Sequence, residues 1–112
     1  MTRLPGDILR SVALFRSELD RRFGPRLCAV TLFGSRARGD AELDSDVDVM
    51  VVVEGLSEVE RGEAIDLAFA ARRAAGGGPL LSPLVWSDAQ WRARLAAERR
   101  IALDIVREGI PL

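Results

Sequence analysis

The chain lacks histidine entirely and has a single cysteine, Cys28. Without histidine, neither a Ser-His nor a Cys-His catalytic pair can form, so any proton transfer must use a carboxylate, water or the substrate. One cysteine also excludes a disulfide framework and a zinc site of the Cys/His type. Because Cys28 lies in a predicted strand, we expect it to be a small core residue and not a nucleophile.

Long hydrophobic runs are missing as well. No apolar stretch approaches the roughly 20 residues of a membrane span, and the opening segment MTRLPGDILR has no apolar signal-peptide core. We therefore expect a cytoplasmic protein. The 112 residues are 48% hydrophobic and 29% charged, which fits one folded domain over residues 1–112.

Lysine is absent, and the formal net charge at pH 7 is −1. This balance argues against broad, nonspecific binding to nucleic acid, although local arginine clusters leave RNA as an alternative acceptor.

Two aspartates stand at the start of an apolar run. Asp46 and Asp48 are followed by the mainly β-branched stretch 49–53, which predicts a buried strand. Residues i and i+2 of a strand point to the same side, so both carboxylates face one place with Cα atoms about 7 Å apart. Like charges raise each other's pKa unless a divalent cation lies between them. The pair therefore predicts a magnesium site at Asp46 and Asp48.

A phosphate-binding turn is predicted shortly before this pair. The apolar strand 27–33 ends at Gly34 and Ser35, and the polar segment SRARGD predicts the first turn of a short helix. Backbone N–H groups at such a turn can hold phosphate oxygens. Ser35 adds a hydroxyl, while Arg36 and Arg38 add guanidinium groups suited to phosphate. We predict that Gly34, Ser35, Arg36 and Arg38 bind a nucleotide triphosphate.

Together these motifs resemble a known signature. Ten residues separate Ser35 from Asp46, and this spacing resembles that of the DNA polymerase β-like nucleotidyltransferase superfamily. Residues 37–40 resemble the family's A-R-G-(D/E) continuation, and Ser45-Asp46 its S-D entry into the strand. The short chain resembles the minimal nucleotidyltransferase (MNT) branch. The resemblance implies an α/β (α+β) palm-like core with a small mixed β-sheet and helices packed mainly on one face.

The resemblance also implies an activity and a partner. The activity would be transfer of a nucleoside monophosphate from a nucleotide triphosphate, expected to be ATP, to an acceptor hydroxyl. Asp46 and Asp48 would bind Mg2+ in a two-metal arrangement and, with Ser35, form the catalytic set. Because MNT proteins are often paired with a helical HEPN protein, this chain would be an antitoxin that adenylylates such a toxin.

One family feature is missing from the sequence. Active members usually carry a third carboxylate on a neighbouring strand, and that position falls near Ser82. Asp66 or Asp88 could substitute, a partner could supply the acid, or it could be absent altogether. The alternative function is therefore a catalytically weak or inactive binding module that neutralises or scaffolds a partner protein by contact.

The remaining elements follow from hydrophobic spacing and helix caps. A first helix is predicted over 5–23, and the capping box Ser57-x-x-Glu60 predicts a second helix to about residue 75, marked by Val59, Ile65, Ala68 and Phe69. A third strand follows over 80–86. The last helical region begins at Ser87-x-x-Gln90, with a break near residues 96–98. Trp86 and Trp91 are expected to be core residues.

Overall fold

The structure is a computed structural model in which residues 4–112 are described. Its elements in chain order are α1 (Gly6–Phe23), a 3-10 turn (Gly24–Arg26), β1 (Leu27–Phe33), α2 (Ser35–Arg38), β2 (Val47–Val53), α3 (Glu58–Ala74), β3 (Leu81–Ser87), α4 (Asp88–Ala96), α5 (Arg100–Glu108) and β4 (Ile110–Pro111). The predicted order is confirmed, including the break between the last two helices. Within the described residues, no helix is long and apolar enough to cross a membrane.

The four strands form one mixed sheet with the order β3-β2-β1-β4. Strand β1 runs antiparallel to both β2 and β4, whereas β2 and β3 are parallel. The predicted small mixed sheet is therefore confirmed. Strand β4 was not predicted, because an element of two residues is too short to show an alternating pattern.

The two faces of the sheet are covered differently. Val47, Val49, Val51 and Val53 of β2 pack in the main core with α1 and α3, the two long helices. The alternate residues of β2 face the other side, where Met50 and Val52 pack with residues of β3 and α5. The long helices thus lie on one face, as predicted, while α4 and α5 cover part of the other.

Helix α3 begins as predicted and buries a face made of alanines. Its capping box is complete, because Ser57 accepts from the Glu60 N–H and the Glu60 side chain accepts from the Ser57 N–H. The buried face consists of alanines at positions 64, 68 and 71. All four residues predicted to mark this helix lie in it, but Val59 and Phe69 are 75% and 44% exposed and do not belong to its buried face. Small alanine side chains let α3 pack close to the sheet without them.

The prediction for Cys28 was also wrong, because its side chain is exposed. The pairing between β1 and β2 shifts register between Leu27 and Ala29, which leaves Cys28 without a cross-strand partner. Such a bulge changes the direction of the side chain that would otherwise alternate into the sheet face. The Cys28 Sγ donates only a weak hydrogen bond, 3.4 Å long, to the carbonyl oxygen of Arg26.

The two tryptophans pack against each other near the end of β3. Trp86 is buried, as expected, and Trp91 is half-buried and stacks on it with ring centroids 5.6 Å apart. The Arg94 guanidinium lies 4.5 Å from the centre of the Trp86 ring, which is within the distance range of cation–π contacts.

Candidate active site

Two aspartates lie at the beginning of the central strand β2. Asp46 is exposed and directly precedes the strand, and Asp48 is half-buried as its second residue. Burial raises the pKa of Asp48, the negative charge of Asp46 raises it further, and Arg38 lowers it in part. Burial and the charge of Asp46 both make ionisation of Asp48 less favourable, and a bound divalent cation would offset this cost.

Gly34 brings the turn after β1 against this pair. Its backbone has φ +74° and ψ −155°, a conformation that is open almost only to glycine. A Cβ atom at this position would collide with the carboxylate of Asp48. The absence of a side chain therefore allows the turn backbone to lie directly beside the carboxylate.

Ser35 begins the short helix α2 immediately after this contact. Its carbonyl oxygen accepts hydrogen bonds from the N–H groups of Gly39 (2.9 Å) and Asp40 (3.1 Å), and Gly39 ends the helix in a left-handed conformation. These backbone bonds fix the shape of the turn. The Gly34 carbonyl oxygen in turn accepts from the N–H groups of Ala37 and Arg38, each at 3.1 Å.

Arg36 points into the protein. Arg36 is only 7% exposed, and its Nη2 donates to the carbonyl oxygens of Leu43 (3.2 Å) and Ser45 (2.9 Å). Both acceptors belong to the loop that leads directly into Asp46. The contacts of Arg36 therefore hold the loop that carries a predicted metal ligand.

Arg38 lies on the open side of the site. Its guanidinium forms ion pairs with Asp40 and Glu108, each with an N–O distance of 3.2 Å. The hydrogen bonds that Arg38 donates to these two carboxylates raise the pKa of Arg38, and the bond to Asp40 contributes most. Sequence reasoning missed Glu108, which lies 70 positions further along the chain in no recognisable motif.

Ser82 occupies the position at which the family resemblance places the third acid. It pairs with Asp48 in the parallel register between β2 and β3. Asp66 is exposed on α3, on the opposite face of the sheet, and Asp88 accepts from the Gly55 N–H (3.1 Å) beyond the other end of β2. In the described part of the chain, no group of three or more Asp, Glu, Cys or His side chains could hold a metal ion.

A cleft of about 400 Å³ opens between the turn and helix α5. It is lined by Phe33, Gly34, Arg38, Arg100, Ile101, Asp104 and Glu108. Gly34 lines this cleft and also lies against Asp48, whereas Asp46 lines a second cleft, of about 340 Å³, together with Leu43, Asp44, Arg72, Gly78, Pro79 and Leu80.

A mixed sheet that places paired carboxylates against a Gly-Ser turn is the framework of a nucleotide-handling transferase. Residues 12–76 match the family described as the nucleotidyltransferase domain. The chain belongs to this polymerase β-like nucleotidyltransferase family, as the motif resemblance predicted.

Individual relatives agree with this assignment. The chain is 30% identical over 80 residues to the "Putative protein adenylyltransferase MJ0141" of Methanocaldococcus jannaschii, covering 71% of this chain and 80% of that protein. A solved structure described as a "putative minimal nucleotidyltransferase" is 29% identical, with a TM-score of 0.55 and coverage of 94% of this chain and 91% of that one.

Two structures of toxin–antitoxin assemblies share the fold. One, described as a toxin–antitoxin with AMP-PNP, is 22% identical with a TM-score of 0.52, covering 87% of this chain and 68% of that one. The other, a mutant of the toxin–antitoxin MntA-HpeT, is 21% identical with a TM-score of 0.53, covering 86% and 68%.

Proposed function

We propose that this protein transfers a nucleoside monophosphate from ATP to an acceptor hydroxyl. A bond forms between the acceptor oxygen and the α-phosphorus, and the bond from that phosphorus to the bridging oxygen of the β-phosphate breaks, releasing pyrophosphate. The observation that supports this most is the direct approach of the Gly34 backbone to Asp48, beside Asp46. It joins a turn suited to phosphate with carboxylates suited to a cation.

Asp46 and Asp48 fit magnesium, because carboxylate oxygens are the ligands it prefers and because a cation would relieve the cost of ionising Asp48. They would hold the ion, which when bound neutralises phosphate charge and polarises the reacting oxygens.

The other residues position the triphosphate. The turn at Gly34 and Ser35 would orient it through backbone N–H groups and the Ser35 hydroxyl, and Arg38 would steady its charge from the open side. Arg36 would act through the loop that ends at Asp46. Since the chain has no histidine, the acceptor proton leaves to a carboxylate, to water or to the substrate.

A protein is the acceptor that we favour. The relative from Methanocaldococcus jannaschii is named as a protein adenylyltransferase, and a structural relative is described as a toxin–antitoxin with AMP-PNP. These descriptions support ATP as the nucleotide and a protein as the acceptor. With the motif resemblance, which implies a HEPN-type partner, we propose that the acceptor is such a toxin and that this chain is the antitoxin.

Ser82 favours a second candidate function. It stands beside Asp48 where active relatives are expected to have a third carboxylate, and it cannot serve as a metal ligand of comparable strength or as a general base. A domain with this gap would neutralise its partner by contact, with little or no transfer.

Transfer to a purified HEPN-type protein, measured with radiolabelled ATP and Mg2+, separates the two functions. The test variant is Asp46→Asn with Asp48→Asn. The matched control is Glu42→Gln with Asp44→Asn, which removes the same charge from exposed positions in the preceding loop. If the protein is an enzyme, the wild type and the control variant label the partner, and the test variant does not. A contact antitoxin gives no label and still neutralises the partner when both aspartates are replaced. Labelling that survives both asparagine substitutions would contradict the proposed site.

A further inference from the structure

We infer that the cleft between the Gly34 turn and helix α5 binds the nucleoside of the nucleotide and favours bases that carry an exocyclic amine. This inference rests on the proposed function, because it requires the phosphates to lie at Asp46 and Asp48. Gly34 lines the cleft and lies against Asp48, and Phe33, which also lines the cleft, is the cross-strand partner of Asp48. The volume of about 400 Å³ is within the range of small-molecule sites, about 300–1,000 Å³.

The walls of the cleft suit a base and a ribose. Phe33 from β1 and Ile101 from α5 supply apolar surface for the faces of a base. The Arg100 side chain is 93% exposed, and its Nε forms an ion pair with Asp104 at 3.8 Å; the planar face of its guanidinium can still stack on a ring. A nucleoside has this combination of flat apolar faces and polar edges.

Two carboxylates of α5 determine which edges fit. Asp104 is held by Arg107 at 2.6 Å, and Glu108 reaches across the cleft to Arg38 at 3.2 Å. Ionised carboxylates only accept hydrogen bonds, so they favour ribose hydroxyls and an exocyclic amine. Adenine, cytosine and guanine each carry such an amine, whereas uracil has none and its O4, like that of thymine, is an acceptor. The cleft therefore favours ATP over UTP.

A pair of matched variants tests where the nucleoside lies. Ile101 and Leu103 are both apolar residues of α5, 42% and 45% exposed, but only Ile101 lines the cleft. The probes are ATP, UTP and inorganic triphosphate, each titrated with Mg2+ by calorimetry. We expect Ile101→Glu to weaken ATP binding by about tenfold and to leave inorganic triphosphate unchanged, while Leu103→Glu changes neither.

A second variant tests the base preference on a side chain at the surface. Wild type should bind ATP about tenfold more tightly than UTP, the effect of about one hydrogen bond. Asp104→Asn should reduce the ratio of ATP affinity to UTP affinity, because an amide can also donate a hydrogen bond to the uracil oxygen.

The outcomes separate this inference from the proposed function. If ATP, UTP and inorganic triphosphate bind equally and Ile101→Glu weakens none of them, the cleft is not the nucleoside site, although the phosphate site stands. If no probe binds in a magnesium-dependent way, both the proposed function and this inference are overturned. A UTP affinity equal to that of ATP, unchanged in Asp104→Asn, overturns the base preference.

Discussion

Gly34 connects the two halves of the site, because its positive φ of 74° and its lack of a side chain let the turn reach Asp48. We predict that Gly34→Ala lowers the free energy of unfolding by about 1–3 kcal/mol through backbone strain, with a further loss from the collision. It should also displace Asp48 and weaken the increase in melting temperature that Mg2+ produces. Urea denaturation and melting with and without Mg2+ measure the two effects.

Gly55→Ala is the matched control for this change. Gly55 also has a positive φ, of 64°, but a Cβ atom there would meet nothing within 4 Å. It should cost stability without changing the response to Mg2+. An equal magnesium response in both variants would show that the contact between Gly34 and Asp48 does not shape the metal site.

The two arginines of the turn should have separable roles. Arg36 donates to the loop before Asp46, whereas Arg38 faces the open cleft. Arg36→Lys should weaken Mg2+ binding and cost about 1–3 kcal/mol of stability, because a buried charge loses its hydrogen bonds. Arg38→Lys should weaken nucleotide binding at saturating Mg2+ and leave Mg2+ binding unchanged. Calorimetric titrations of each ligand would contradict this assignment if the two effects were exchanged.

The pKa of Asp48 predicts how stability depends on pH without metal. Because that pKa is raised on folding, the folded protein holds the proton more tightly than the unfolded chain. The cost of ionising Asp48 is absent below its unfolded pKa, about 3.9, and complete above its raised folded pKa. In EDTA, Asp48→Asn should therefore melt above wild type at pH 7, with a difference that shrinks as the pH falls toward about 4.

The exposed Asp44→Asn is the control for the loss of one negative charge. An Asp48→Asn protein that melts below wild type at every pH would show that the carboxylate is stabilised in the fold, contrary to this account.

At the scale of elements, local signals were predictive where they were complete within a few residues. The capping boxes at Ser57 and Ser87 satisfy backbone N–H groups by themselves, so they fixed the starts of α3 and α4. Cys28 could not be placed correctly, because the bulge depends on how β1 pairs with β2. The spacing that includes Val59 and Phe69 predicted the helix correctly but not its buried face, because apolar spacing does not show that alanines suffice for close packing.

The position of helix α5 over the sheet depends on a close approach at its C-terminal end. A Cβ atom on Gly109 would collide with the carbonyl oxygen of Ile105 and the methyl group of Thr31, although its φ of −67° is ordinary. We predict that Gly109→Ala lowers the free energy of unfolding by about 1–3 kcal/mol, because the space between Gly109, Ile105 and Thr31 has no room for a methyl group. Urea denaturation provides the measurement.

Gly62 offers the opposite case for comparison. It lies within α3, where an added Cβ atom meets nothing within 4 Å, so Gly62→Ala should stabilise the protein by about 0.4–1 kcal/mol. If Gly109→Ala were as stable as Gly62→Ala, α5 would not be held tightly against β1.

At the scale of the whole molecule, only part of the candidate site was predictable. The turn and the two aspartates lie within 15 residues, and their spacing follows a motif. The cleft wall of α5 and the pairing of Glu108 with Arg38 were not predictable, since they depend on where the chain's last helix crosses the sheet. One long-range prediction was nevertheless correct. The position of the third acid was predicted near Ser82, and the parallel register of β2 and β3 does place Ser82 beside Asp48.

The central claim is that Asp46 and Asp48 form a magnesium-dependent nucleotide site. Calorimetric titration of ATP, with and without Mg2+, tests it on wild type, on Asp46→Asn with Asp48→Asn, and on the loop control Glu42→Gln with Asp44→Asn. We expect binding to wild type and control that requires Mg2+, and a loss of at least about a hundredfold in the aspartate variant. Equal ATP affinity in all three proteins, or affinity that does not depend on Mg2+, would contradict the claim.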